Sequence, residues 1–148
     1  VLCDRKGMPM STKAQVHDLI TTYLAAWNAR DYEGMAALFT EPAVYVLPDG
    51  PKHMPNRQAL IEGLKQQFAL LETNGFDHTE IDRIEVRECS GTTAMADMKN
   101  VTRLRADGTV LEVIDAVYIC ILQEDNWKMS IAMACRPGWN EASESTKQ

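Results

Sequence analysis

Asp115 offers the most chemistry in this chain. It is the one acidic or basic side chain in the apolar run 113–122 (VIDAVYICIL), flanked by Ile114 and Ala116. A carboxylate in a buried strand is costly unless it is partnered or kept protonated. Asp115 is therefore read as an acid/base group with a raised pKa, against the alternative of a structural carboxyl bonded to a neighbouring strand or tyrosine. Tyr23 comes second: it lies on an apolar stripe, and its hydroxyl needs a partner when buried, although plain packing also explains it. His53 sits in a proline-rich stretch beside a strand end, where an imidazole can act as base or acid or simply be solvated. Asp49 is a weaker candidate for the same role.

Around these three candidate catalytic groups, six residues are candidate ligand contacts. Trp27 follows Tyr23 by one helical turn, and Tyr45 shares strand parity with Leu47. Met54 and Met98 belong to a methionine-rich set that suits either a flexible apolar ligand or core filling. Asn100 shares the expected strand face of Met98. His17 and His78 show no metal-ligand spacing, so no metal site is expected. No nucleophile elbow, phosphate loop or dinucleotide fingerprint occurs, and no cofactor is expected. The pairs Arg103/Arg105 and Asp97/Lys99 read as a solvated strand face.

The elements that must position these groups come in the order helices, then strands. Thr12 and Gln15 form a capping-box pattern, and Val16, Leu19, Ile20, Tyr23, Leu24 and Trp27 recur at helical spacing behind it. Asp31 can cap a short helix carrying Met35, Leu38 and Phe39, which Pro42 closes before a strand over 43–47. Residues 48–55 read as a loop. Asn56 can cap a third helix with Leu60, Ile61, Leu64, Phe68 and Leu71 on one face, ended by Asn74-Gly75. Four strands follow, over 76–89, 93–105, 110–122 and 127–135, with Asp107-Gly108 as a hairpin signal. Ile81 falls on the opposite parity from Ile84 and Val86, which predicts a bulge between them. The run 110–122 is apolar on both faces, so one face is expected to line a pocket and the other to meet a second copy of the chain. This order is α+β.

The composition sets the outer bounds. With 148 residues, one domain is expected over 11–139, between a flexible segment 1–10 and a flexible tail 140–148. Val1 is not a start residue, and the segment before Met8 or Met10 is read as an expression addition or the product of an upstream start. A net charge of −6 argues against nucleic acid or an anionic membrane as partner, and no run approaches a membrane span. Cys3, Cys89, Cys120 and Cys135 are far apart, which fits neither a zinc nor a redox motif and points to a reducing cytoplasm. No signal peptide is visible.

The stretch 23–48, YLAAWNARDYEGMAALFTEPAVYVLP, resembles the opening of the NTF2-like superfamily, in particular its SnoaL-like and ketosteroid-isomerase-like members. The carrying residues are Tyr23, Ala26, Asn28, Asp31, Gly34, Leu38 and Phe39. The stretch 113–129, VIDAVYICILQEDNWKM, resembles a later strand pair of the same family, and the likeness runs over about residues 12–136. It implies a curved antiparallel sheet wrapped around the N-terminal helices as a cone, commonly a homodimer through the outer sheet face. It implies cofactor-independent acid/base chemistry on a hydrophobic carbonyl or enol compound, of isomerase, cyclase or dehydratase type. In that resemblance Tyr23 and Asp115 match the oxyanion-hole tyrosine and protonated aspartic acid of the ketosteroid isomerases, where an apolar site keeps the acid neutral. The isomerase's general base corresponds here to Leu47, which cannot move a proton. A SnoaL-like cyclase instead implies Asp115 as acid/base with Tyr23 on an enolate oxygen. The alternative is a non-catalytic ligand-binding or dimerisation domain on the same fold.

Overall fold

The structure, a computed structural model, describes residues 10–141. The expectations for the first nine and last seven residues, Cys3 among them, lie outside the described residues.

Three helices open the chain. Helix α1 (Thr12–Asn28) buries Val16, Leu19, Ile20, Tyr23 and Trp27, the stripe that its spacing predicts. Its N-cap is Ser11, whose hydroxyl accepts from the Ala14 amide, so the cap lies one residue before the expected Thr12. Gln15 serves packing instead: it donates to the Met10 carbonyl and accepts from the Trp127 indole at 3.0 Å. Helix α2 (Tyr32–Ala36) is capped by Asp31, whose carboxylate accepts from the Gly34 amide at 2.9 Å. A Cβ on Gly34 would sit 2.2 Å from that carboxylate, so this cap geometry requires glycine. Helix α3 (Arg57–Thr73) has Asn56 as its cap and buries the five residues expected of it. It ends at Asn74, where Gly75 at φ 89° turns the chain into the sheet.

Six strands form one curved, unclosed sheet. They are β1 (Phe39–Leu47), β2 (Gly50–Met54), β3 (Phe76–Glu88), β4 (Thr93–Arg105), β5 (Val110–Gln123) and β6 (Asn126–Cys135), in the order β2-β1-β6-β5-β4-β3. All neighbours are antiparallel except β1 and β6, which run parallel. Two local expectations change. The stretch expected as a loop around His53 is the edge strand β2, where Pro51 is tolerated because an edge strand leaves its N–H side unpaired. Phe39 and Pro42 belong to β1 rather than to the end of α2.

The expected parity slip between Ile81 and Ile84 falls at the right place, but β3 stays in step with β4 across it. The extra residue is on β4. Between Met98 and Val101 that strand advances three residues while β5 advances two, from Ala116 to Ile114. Asn100 takes the strain at φ 52°, the left-handed region that asparagine tolerates better than most residues. This bulge exchanges the two faces of β4, so beyond Asn100 it is Val101 and Arg103 that continue the face of Met98.

The core lies between the helices and the concave face of the sheet. Trp27 packs on Phe68 with ring centroids 4.4 Å apart, and Tyr23 meets Phe39 edge-on at 5.5 Å. Asn28 ties α1 to β3 by closing both backbone groups of Thr79, accepting from its amide at 2.8 Å and donating to its carbonyl at 2.9 Å. Asn28, Asp31 and Gly34 of the opening motif are thus explained by clamp, cap and close approach.

Candidate functional site

A cavity of about 310 Å³ opens between α1 and the concave face. Its floor is aromatic. Tyr23 comes from α1, Tyr45 from β1 and Tyr118 from β5, all through the inward parity of their elements. The Tyr23 and Tyr45 hydroxyls are 3.4 Å apart, and the Tyr23 and Tyr118 rings are 5.7 Å apart. Trp27 forms part of the wall, and its indole N–H donates to the Thr79 hydroxyl at 2.9 Å. Leu47, Ile81, Met98, Val101, Ile114 and Ala116 make the rest largely apolar.

Burial, reinforced by charge repulsion within the trio, pushes the Tyr23 phenol far above its ordinary range. Burial also raises Tyr45, and pushes Tyr118 up to about 12. All three are therefore hydrogen-bond donors at neutral pH. The lining also holds an ion pair that the sequence reading left on a solvated face: Arg103 of β4 binds Glu112 of β5 through Nη1. The Arg103 guanidinium lies 5.6 Å from the Trp27 ring, and its Nε is buried with no hydrogen-bond partner. Arg103, Glu112 and Tyr118 are charged or phenolic cavity residues absent from the expected site, and Gln67 and Thr79 are two further polar ones. Glu112 and Tyr118 share parity with Ile114 and Ala116 and were findable from that alternation. Arg103 was not, because only the Asn100 bulge turns it inward.

Tyr23, expected as a catalytic group, and Trp27, Tyr45, Leu47 and Met98, expected as ligand contacts, all line the cavity. Four other candidates do not. His53 is exposed on the edge strand, opposite Val44. Met54 packs under α3, with its methyl close to Gly63. Asn100 is the outward bulge residue, 3.3 Å from the Asp82 carboxylate.

Asp115 is the fourth and the main correction. Its neighbours Ile114 and Ala116 face the cavity, so alternation sends its carboxylate through the opposite, convex face. There it is 1% exposed, and backbone amides occupy both its oxygens: Asn100 donates to Oδ1 and Gly138 to Oδ2, each at 2.9 Å. The ammonium of Lys99 lies 3.5 Å from Oδ2. Burial raises its pKa, but the two amides and Lys99 outweigh that and hold the carboxyl below its ordinary range, the reverse of the expected shift. Asp115 thus caps the β4 bulge and pins the segment 136–141 over the sheet. Lys99 also bonds Asn140 and lies 3.5 Å from Asp97, while Asn140 donates to Asp97 at 2.7 Å. Asn140 and Glu141, expected in the flexible tail, are bound to the sheet in this way, with Glu141 paired to Arg83.

The architecture is that of an α+β cone, and the comparisons agree. A family model described as NTF2-like protein (DUF6841) matches residues 13–137, and the chain belongs to that family. Among solved structures it is similar to an NTF2-like protein with a cystatin-like fold from Novosphingobium aromaticivorans, at TM-score 0.69 and 17% identity over 90% of this chain and 85% of that one. An NTF2-like protein of unknown function from Pseudomonas putida matches at TM-score 0.69 and 16% identity over 95% of each chain. Aln2 from a Streptomyces species matches at TM-score 0.67 and 19% identity over 83% of this chain and 89% of that one. At these identities the likeness is one of fold. Nothing among the curated proteins matches the chain. No helix among the described residues is long and apolar enough to cross a membrane.

Proposed function

We propose that this protein binds a small hydrophobic molecule in the cone and holds an oxygen of that molecule, a carbonyl or enol, against the tyrosine trio. The observation that carries the reading is the convergence of Tyr23, Tyr45 and Tyr118 in one largely apolar cavity. A few fixed donors in an apolar enclosure bind by area and select by the group they meet. The test is the affinity of acetonaphthone, followed by ligand-observed NMR. Tyr118→Phe should leave the fold intact and weaken binding roughly tenfold, about one net hydrogen bond. Unchanged affinity, or no binding by the unaltered protein, defeats the reading.

A second reading, cofactor-independent acid/base turnover of isomerase or cyclase type, is favoured by one specific observation. Glu112 is a carboxylate in the cavity lining, and the neutral phenols beside it can donate to a developing enolate oxygen. Asp115 has no part in it. Glu112→Gln abolishing turnover of an enolisable ketone that still binds would support this reading, and no proton exchange at such a ketone would remove it. Pairing of two copies through the convex face belongs to the same proposal. Val113, which follows the outward parity of Asp115, is 36% exposed, and light scattering reads the mass.

A further inference from the structure

We infer that the head group the cavity selects is an anion: the ligand is an amphipathic molecule with an apolar body and one carboxylate, and Arg103 is the residue that specifies it. The inference rests on the ligand-binding reading and adds the charge of the ligand.

The tyrosines supply three O–H donors. The Tyr23 and Tyr45 hydroxyls, 3.4 Å apart, use one of these between them and leave two over. Arg103 adds its Nε–H, buried and without an acceptor. Against these donors the lining carries the Glu112 carboxylate, whose Oε2 already holds Arg103 Nη1, and the Gln67 amide, which brings donors as well as an acceptor. Thr79 is bonded as well, its hydroxyl taken by Trp27. The leftover groups at the floor and on Arg103 are therefore donors, and one is cationic.

A buried N–H of a guanidinium left without a partner is expensive. A carboxylate suits it better than an alcohol does, because its two oxygens match the planar fork of the guanidinium. The Arg103 side chain is 13% exposed and that of Glu112 is 42% exposed. The cation is thus the more enclosed partner, and its counter-charge sits nearer to solvent. The Arg103 side chain also lines the cavity, so an anion bound there can share the guanidinium with Glu112. The positive charge of Arg103 also reaches the floor, where it lowers the pKa of Tyr45 and Tyr118 against the larger effect of burial.

The experiment compares three probes of one body: naphthoate, naphthylmethanol and acetonaphthone. Their dissociation constants are measured by titration calorimetry or ligand-observed NMR at neutral pH. Naphthoate should bind roughly tenfold more tightly than naphthylmethanol, the order of one charge-assisted contact net of hydration. Arg103→Met should remove that preference while acetonaphthone still binds, which shows that the variant keeps its cavity. Glu112→Gln frees a competing acceptor from the guanidinium and should tighten naphthoate without tightening naphthylmethanol. Equal affinity for naphthoate and naphthylmethanol overturns the inference, as does a preference that survives Arg103→Met or naphthoate binding weakened by Glu112→Gln. If acetonaphthone binds and naphthoate gains nothing, this inference alone fails. If none of the three binds, the ligand-binding reading fails with it.

Discussion

The two faces of the sheet each bury a polar cluster, and β4 and β5 contribute to both. On the convex face Asp97, Lys99 and Asp115 are each less than a twentieth exposed and are joined to Asn140 and to two backbone amides. One oxygen of Asp97 and the indole N–H of Trp139 are left over there, an acceptor and a donor. On the concave face the buried atom left over among the described residues is a donor, Arg103 Nε, and its side chain lines an open cavity. Burial by itself does not separate a structural group from a ligand-binding one. What separates them is whether the protein supplies the partner. Asp115 has the composition of an active-site acid and the bonding of a bulge cap.

The sharpest way to break this comparison is to delete the carboxylate. Asp115→Ala leaves Lys99 without one of its anions, and the Asn100 and Gly138 amides without acceptors, all at a buried site. Removing one partner of a buried pair costs about 3–5 kcal/mol, and urea unfolding should register a loss of that size. Acetonaphthone affinity per folded molecule should stay within about twofold, since the tyrosine floor that holds the ketone lies on the other face of the sheet. A loss of binding with little loss of stability would put Asp115 back in the site.

Titration sharpens the comparison with a smaller effect, because each face fails at its own end of the pH scale. The Asp115 carboxyl lies below its ordinary value when folded. Its contribution is therefore complete above about pH 4 and is lost as the pH falls through the folded value. Tyr23, Tyr45 and Tyr118 lie above theirs. Their contribution is complete below about pH 10 and is lost as the pH rises towards the folded values. Thermal melts across pH, with phenolate absorbance recorded alongside, should show acid destabilisation that Asp115→Asn flattens. They should also show alkaline destabilisation that Asp115→Asn leaves alone. Acid sensitivity unchanged in Asp115→Asn would mean that another carboxylate governs that limb.

Local signals made the helices and most strands legible in the sequence. The stripe from Val16 to Trp27 follows the helical period, Asn56 and Asp31 are cap residues, and Asn74-Gly75 ends a helix by conformational preference. The strand β2 was hidden because Gly50 and Pro51 open it and Pro48 and Pro55 flank it, and its position at the sheet edge permits the internal proline. The site was half legible. Tyr23 and Trp27 follow the helical period, and Tyr45, Leu47 and Met98 lie before the bulge, where alternation reads correctly. Beyond it the same alternation assigns Arg103 to solvent. The side of the sheet that Asp115 faces needed no bulge to be read: Ile114 and Ala116 were the apolar neighbours, and they are the ones that line the cavity.

The smallest expected effect tests the hinge between the two faces. If Asn100 matters for its backbone, at φ 52° and donating to Asp115, then Asn100→Gly adopts the same conformation without a Cβ penalty and keeps the N–H. Its stability should stay within about 0.5 kcal/mol of the original, losing only an exposed contact to Asp82 and some chain entropy. Asn100→Val keeps the N–H too, but places a β-branched side chain at positive φ, which costs about 1–2 kcal/mol. The difference between the two variants, read by urea unfolding, isolates the backbone requirement. If glycine costs as much as valine, the Asn100 side chain is what stabilises the turn-out. The exchange of faces that brings Arg103 into the cavity would then depend on the contact with Asp82 rather than on the Asp115 cap.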